Sequence, residues 1–189
     1  GLEFTGTDRA GSYAVKSAAE IDGAVSATGA FDATGNNVTV NDGKSLSAAT
    51  VTADILETSG TVSATTINGA VTQNGGTIKA FGTDLTLNGA VNQAGGTIDA
   101  SAGKLTLEGG NVTQSEGAVV KATTLALDED GNTVSLASTQ NEIGTVTGNA
   151  GALTLVDGTA LIVNDLAVTG AADLTAGGTG LEFTGTDSA

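Results

Sequence analysis

The 189-residue chain holds 29 Gly, no Pro, Cys, Met, Trp or His, and only 3% aromatic residues against 39% hydrophobic ones. Few bulky anchors argue against a compact globular core, the apolar content argues against disorder, and the lack of Cys excludes disulfides and thiolate metal sites. A net charge of −15, from 21 acids and 6 bases, repels phosphate backbones and anionic headgroups, so nucleic acid and unaided membrane binding are poor expectations.

The chain opens with GLEFTGTDRA and closes with GLEFTGTDSA, ten residues differing at one position and offset by 179. After the first copy, Tyr13 to Ile21 (YAVKSAAEI) tolerates a helical turn, but no helical period is sustained anywhere. Short apolar alternations follow: Asn37-Val38-Thr39-Val40-Asn41, Ala49-Thr50-Val51-Thr52-Ala53 and Gly60-Thr61-Val62-Ser63-Ala64. Period two within such runs predicts strands with one face in and one out.

From residue 68 three blocks of 20 stand in succession: NGAVTQNGGTIKAFGTDLTL (68–87), NGAVNQAGGTIDASAGKLTL (88–107) and EGGNVTQSEGAVVKATTLAL (108–127). The first two agree at 13 of 20 positions; the third gains two residues before Val120 and loses two after it. What stays constant is a closed circuit. Inward positions are Val71, Ile78, Leu85 and Leu87, then Val91, Ile98, Leu105 and Leu107, then Val112, Val120, Leu125 and Leu127. Corners such as Asn74-Gly75-Gly76 and Ala94-Gly95-Gly96 supply the backbone freedom each change of direction needs. Ala152-Leu153-Thr154-Leu155-Val156 and Ala160-Leu161-Ile162-Val163-Asn164 continue the texture.

Three short strands cannot bury an apolar face alone, whereas stacked circuits bury a continuous column. The predicted fold is all-β: a parallel β-helix (β-solenoid) of about nine coils of roughly 20 residues, right-handed by the general preference of parallel crossovers. Residues 1–189 read as one solenoid segment, a 179-residue repeat (1–179) followed by the start of the next (180–189). An offset of 179 is close to nine coils, so the second GLEFTGTD is expected at the angular position of the first, roughly 43 Å along the axis at about 4.8 Å per strand. Neither end shows a polar helix, Pro or dense charge, so the stack is expected to continue, by covalent tandem repeats or docked subunits.

The phrasing VTQ(x)GGTI(x)A followed by LTL, with Gly131 to Leu136, Gln140 to Val146 and Gly151 to Leu155, resembles the repeats of filamentous haemagglutinin-like adhesins, exoproteins of two-partner secretion, over most of residues 60–187. The resemblance implies a right-handed β-helical shaft of a large bacterial surface or secreted protein. The family's secretion domain carries Asn-Pro motifs, which a chain without Pro does not contain.

No catalytic, cofactor-binding or metal-ligating residue is predicted, and no cofactor. The bases are Arg9, Lys16, Lys44, Lys79, Lys104 and Lys121, with no His to shuttle protons. Asp128-Glu129-Asp130-Gly131-Asn132 starts like a calcium loop, but Gly131 falls at loop position 4 and Thr139 at position 12, so a plain polar turn is the simpler reading. Gly177 to Glu182 is a single approach to a calcium-binding nonapeptide that works only in tandem. Thr50-Val51-Thr52 and Thr145-Val146-Thr147 resemble ice-binding faces, while Thr86 and Thr106 stand alone between inward Leu. Gln73, Gln93 and Gln114, with Asn68 and Asn88, are expected to align and form amide ladders. Asn37 and Asn111 open glycosylation sequons. Phe4, Tyr13, Phe31, Phe81 and Phe183 are scattered in the sequence, which offers no aromatic binding face.

The leading expectation is a structural shaft segment of an extracellular bacterial or archaeal filament or giant surface adhesin, not an enzyme, whose partner is itself, end to end along the axis. Cell-surface or matrix glycans are secondary partners. The alternative is a ligand-binding module on a secreted protein, taking glycan, calcium or ice.

Overall fold

A computed structural model describes residues 1–189, and they form 21 parallel strands and no helix. The period-two runs become the strands, because only alternation lets Val, Leu and Ile face one column while Thr, Ser and Asn face water. One face shows the stacking most simply. Its ladder runs Leu2, Ala19, Val38, Leu56, Val71, Val91, Val112, Val134, Leu153 and Ala172, each beside the next. Nine steps therefore carry the chain from Leu2 to Ala172, the shortest from Leu56 to Val71 and the longest from Val112 to Val134.

The repeated blocks stack as predicted: Val71 on Val91, Ile78 on Ile98, Leu85 on Leu105 and Leu87 on Leu107. In the next coil the step from Ile98 to Val120 is longer than the step from Leu105 to Leu125. The insertion before Val120 is absorbed at the corner, so the apolar columns stay aligned. Forty-two buried apolar residues form one continuous cluster from Val15 to Val168, which makes the molecule a single body around an axial core. Leu, Ile, Val and Ala fill it because each coil offers only a narrow triangle of space, and Phe31 is its one fully buried aromatic ring.

Corners are tight. At Gly96, with φ of +78°, an added Cβ would lie 2.5 Å from the carbonyl oxygen of Gly76 in the coil below, a position no side chain can share. Segments between strands thus become part of the stack. The Tyr13–Ala14 and Ala19–Ile21 strands show that the YAVKSAAEI stretch joins the ladder and makes no helical turn.

One geometric expectation is corrected. The first GLEFTGTD places Leu2–Phe4 beside Ala19–Ile21, whereas the second places Leu181–Thr184 beside Leu161–Asn164, on a different face. Following the ladders, Phe4 shares its column with Leu155 and Leu174, and Phe183 shares its own with Val163, Val146 and Leu125. The reason is coil length. The ninth step from Leu2 ends at Ala172, whereas the matching leucine of the second copy is Leu181, farther along the coil and already on another face.

Candidate functional site

The residue types that could carry chemistry fall into three places: a polar track inside the solenoid, the outward faces, and the two ends. Inside, Gln73, Gln93 and Gln114 align in one column, as expected, and all are buried. Their bonding is only partly a ladder. Gln114 Nε2 donates to Gln93 Oε1 at 3.0 Å, but Gln73 Nε2 donates to the backbone oxygens of Thr97 at 3.0 Å and Gly76 at 3.4 Å. Gln93 repeats that pattern on Val119 and Gly96, at 3.0 and 3.2 Å. Gly76 O and Gly96 O also accept from the Thr97 and Val119 amides, so each glutamine adds a second donor at its corner. On the surface, Asn88 Nδ2 donates to Asn68 Oδ1 at 3.4 Å.

Asn141 continues the track. Its Nδ2 donates to Gln114 Oε1 and to the Val156 oxygen, both at 3.0 Å, while its Oδ1 accepts from Gln114 Nε2 and from the Val120 amide, both at 2.8 Å. Asp157 follows one coil on, with Oδ2 accepting from the Ile143 amide at 2.7 Å and Oδ1 from the Thr159 amide at 2.7 Å. These bonds tie the side chains to one another and to the backbone of neighbouring coils, and so hold register.

Asp128 to Asn132 spans a corner, where the register shifts between Glu129 and Thr133 and Gly131 has a φ of +75°. It lies within the long Val119–Leu136 strand, and Glu129 points inward and is fully buried. Its Oε2 accepts from the Gly110 amide at 2.9 Å and from Asn132 Nδ2 at 3.0 Å, and its Oε1 is unpartnered. Loss of hydration raises this carboxyl above its ordinary value, against the Gly110 and Asn132 hydrogen bonds and with help from Asp128 and Glu108. The alternation Leu125, Leu127, Glu129 carries this inward position in the sequence; reading 128–132 as a loop hid it. No three acidic side chains gather in a metal-holding arrangement.

Outward, the Thr-x-Thr segments do not make a repeated double file. Thr50, Thr66, Thr86 and Thr106 stack in one file, but the neighbouring file reads Thr52, Asn68, Asn88, Glu108 and Asp128. Another outward file alternates in charge: Lys79, Asp99, Lys121 and Glu142, with Lys121 Nζ 2.8 Å from Glu142 Oε1. Asp99 is held below the usual carboxylate value chiefly by hydrogen bonds from Ser101, with Lys121 and Lys79 adding to the effect. Opposite charges one strand apart fix register. The bases Arg9, Lys16 and Lys104 stand apart from this file, and Lys44 pairs with Asp22 at 3.4 Å. Asn37 and Asn111 are exposed, although Asn111 Oδ1 accepts from the Thr133 amide at 2.9 Å.

At the ends the structure gathers what the sequence scatters. Phe4, Tyr13 and Phe31 form a triangle of rings, with centroids 5.6, 5.9 and 5.7 Å apart, that partly plugs the first coils. Sequence distance concealed it, because the three residues come from two coils. Phe81 and Phe183 remain apart and exposed. The last coils leave an open apolar cavity of about 480 Å³, walled by Val163, Leu166, Val168, Leu174, Leu181 and Phe183. Neither a family model nor a curated protein nor a solved structure matches this chain.

Proposed function

We propose that this chain is a rigid spacer, a shaft segment of an extracellular filament or giant surface adhesin that extends end to end along its axis. The observation that carries this reading is the unbroken core from Val15 to Val168, shared by successive stacked coils. The polar residues buried in the column, Gln73, Gln93, Gln114 and Asn141, are used to hold register, which suits a mechanical element. The repeat texture that resembles haemagglutinin-like shafts supports the same reading, and the acidic skin keeps neighbouring shafts from pairing sideways.

Stiffness follows from the ladders. Bending such a rod must stretch hydrogen bonds on one side and compress the apolar column on the other, with each coil held by both neighbours. Electron microscopy of the native material, with chain mass from denaturing electrophoresis, tests the proposal. Filaments as wide as one solenoid support it; discrete particles that bind a glycan or calcium would replace it with the ligand-binding reading.

A further inference from the structure

Within residues 1–189, the first and last coils each present parallel strand edges paired on one side only. Ala172–Ala176 and Leu181–Thr184 have partners on one side only, as do Leu2–Phe4, Thr7–Ala10 and Tyr13–Ala14. The edge left open at one end of a coil stack is the complement of the edge left open at the other. We propose that the last coil docks the first coil of a second copy in phase, with Leu2–Phe4 of that copy laid along Ala172–Ala176. This rests on the shaft reading and adds the partner and its register.

Column continuity argues for this occupant. The column that ends at Leu174 begins at Phe4, so the joint sets Phe4 of one copy on Leu174 of the other. The column that ends at Phe183 runs back through Val163, Val146, Leu125, Leu105 and Leu85 and, by the backbone bonds of Thr65, Ala49 and Gly29, reaches Gly11. Phe183, 60% exposed in the single chain, thus meets a residue with no side chain and open space around it. A large ring faces a gap of matching position.

Charge points the same way. The first coil offsets Glu3 and Asp8 with Arg9 and Lys16, while the last holds Asp173, Glu182 and Asp187 and no base. Joining last coil to last coil would set three acids against three acids; joining last to first sets them against a coil whose two acids are offset by Arg9 and Lys16. Such a heterologous contact does not close on itself and grows as a filament. One local repulsion remains. Outward Asp173 falls beside Glu3, which already stacks on Glu20, so three carboxylates stand one strand apart. Added salt therefore tightens the joint.

Because the chain contains no Cys, a single introduced thiol reports contacts without interference. Glu3→Cys and Asp173→Cys chains, mixed under mild oxidation, are expected to form a disulfide-linked dimer about tenfold faster than Glu3→Cys mixed with Glu182→Cys. Sedimentation of the unmodified chain should show mass rising with concentration and with salt. Asp173→Thr should strengthen association about threefold, and Gly11→Leu, whose side chain meets nothing in its own copy, should weaken it about tenfold. Preferential linkage to Glu182→Cys would overturn the register in favour of a joint rotated by a face. A chain that stays monomeric at high concentration and salt would overturn docking altogether. Failure of the spacer reading is read separately: native material found as discrete particles that bind a glycan or calcium would overturn it whatever the linkage pattern.

Discussion

Replacing Gly96 by Ala tests the stacked corners most severely. The new Cβ would lie 2.5 Å from Gly76 O and 2.6 Å from the carbonyl carbon and oxygen of Gly75. Relief to ordinary contact requires a shift of about 0.8 Å between two coils spaced about 4.8 Å apart. That movement pulls the Thr97 amide away from Gly76 O, now 3.0 Å distant, and breaks the bond. The lost hydrogen bond costs about 1 kcal/mol, and a non-glycine residue at positive φ adds about 1–2 kcal/mol. Together the loss is about 2–3 kcal/mol. Gly117 supplies the control: its φ is +84°, and an added Cβ meets nothing within 4 Å, so only the backbone cost of about 1–2 kcal/mol applies and the loss is smaller by the broken hydrogen bond. Urea unfolding followed by circular dichroism measures both. Equal losses for Gly96→Ala and Gly117→Ala would refute the close approach of the coils.

Glu129→Gln is expected to stabilise the fold by about 1 kcal/mol at neutral pH, because it removes a buried charge while keeping an oxygen for Gly110. Burial raises the folded-state value of Glu129, so the native chain loses stability as pH climbs from the unfolded value of about 4.3 through the raised one. The variant should lack that slope in urea midpoints taken across the range. Asn141→Ala should cost about 3 kcal/mol, since it strands the Val120 amide in the core and removes the donor shared by Gln114 Oε1 and the Val156 oxygen, and chemical unfolding reads it directly. Phe31→Ala should cost about 3–5 kcal/mol, and hydrogen exchange should place the loss in the first coils.

The solenoid was legible wherever two neighbouring coils have equal length. Val71 to Val91 and Leu85 to Leu105 could be paired by counting, because the interval within each pair is the same. Even the uneven block ending at Leu127 could be aligned, since its gain before Val120 is cancelled by its loss afterwards. Counting failed over the whole chain, where a short step such as Leu56 to Val71 and a long one such as Val112 to Val134 do not cancel and the second GLEFTGTD moves to another face. It also failed for interior polarity. Gln73, Gln93 and Gln114 repeat and could be aligned, but Asn141 occurs once and lies between two strands, outside any alternation, and Glu129 continues the Leu125, Leu127 alternation into a segment read as a turn. The aromatic triangle was hidden for a related reason: Phe4, Tyr13 and Phe31 meet only because two coils stack.

Electron cryomicroscopy of the concentrated chain at raised salt tests the central claim most directly. In-phase docking adds one step to the nine within each copy, so the account predicts unbranched filaments with an axial repeat of about 48 Å built on a spacing of about 4.8 Å along the axis. Compact isolated particles, or filaments whose strands run along the axis instead of across it, would contradict it.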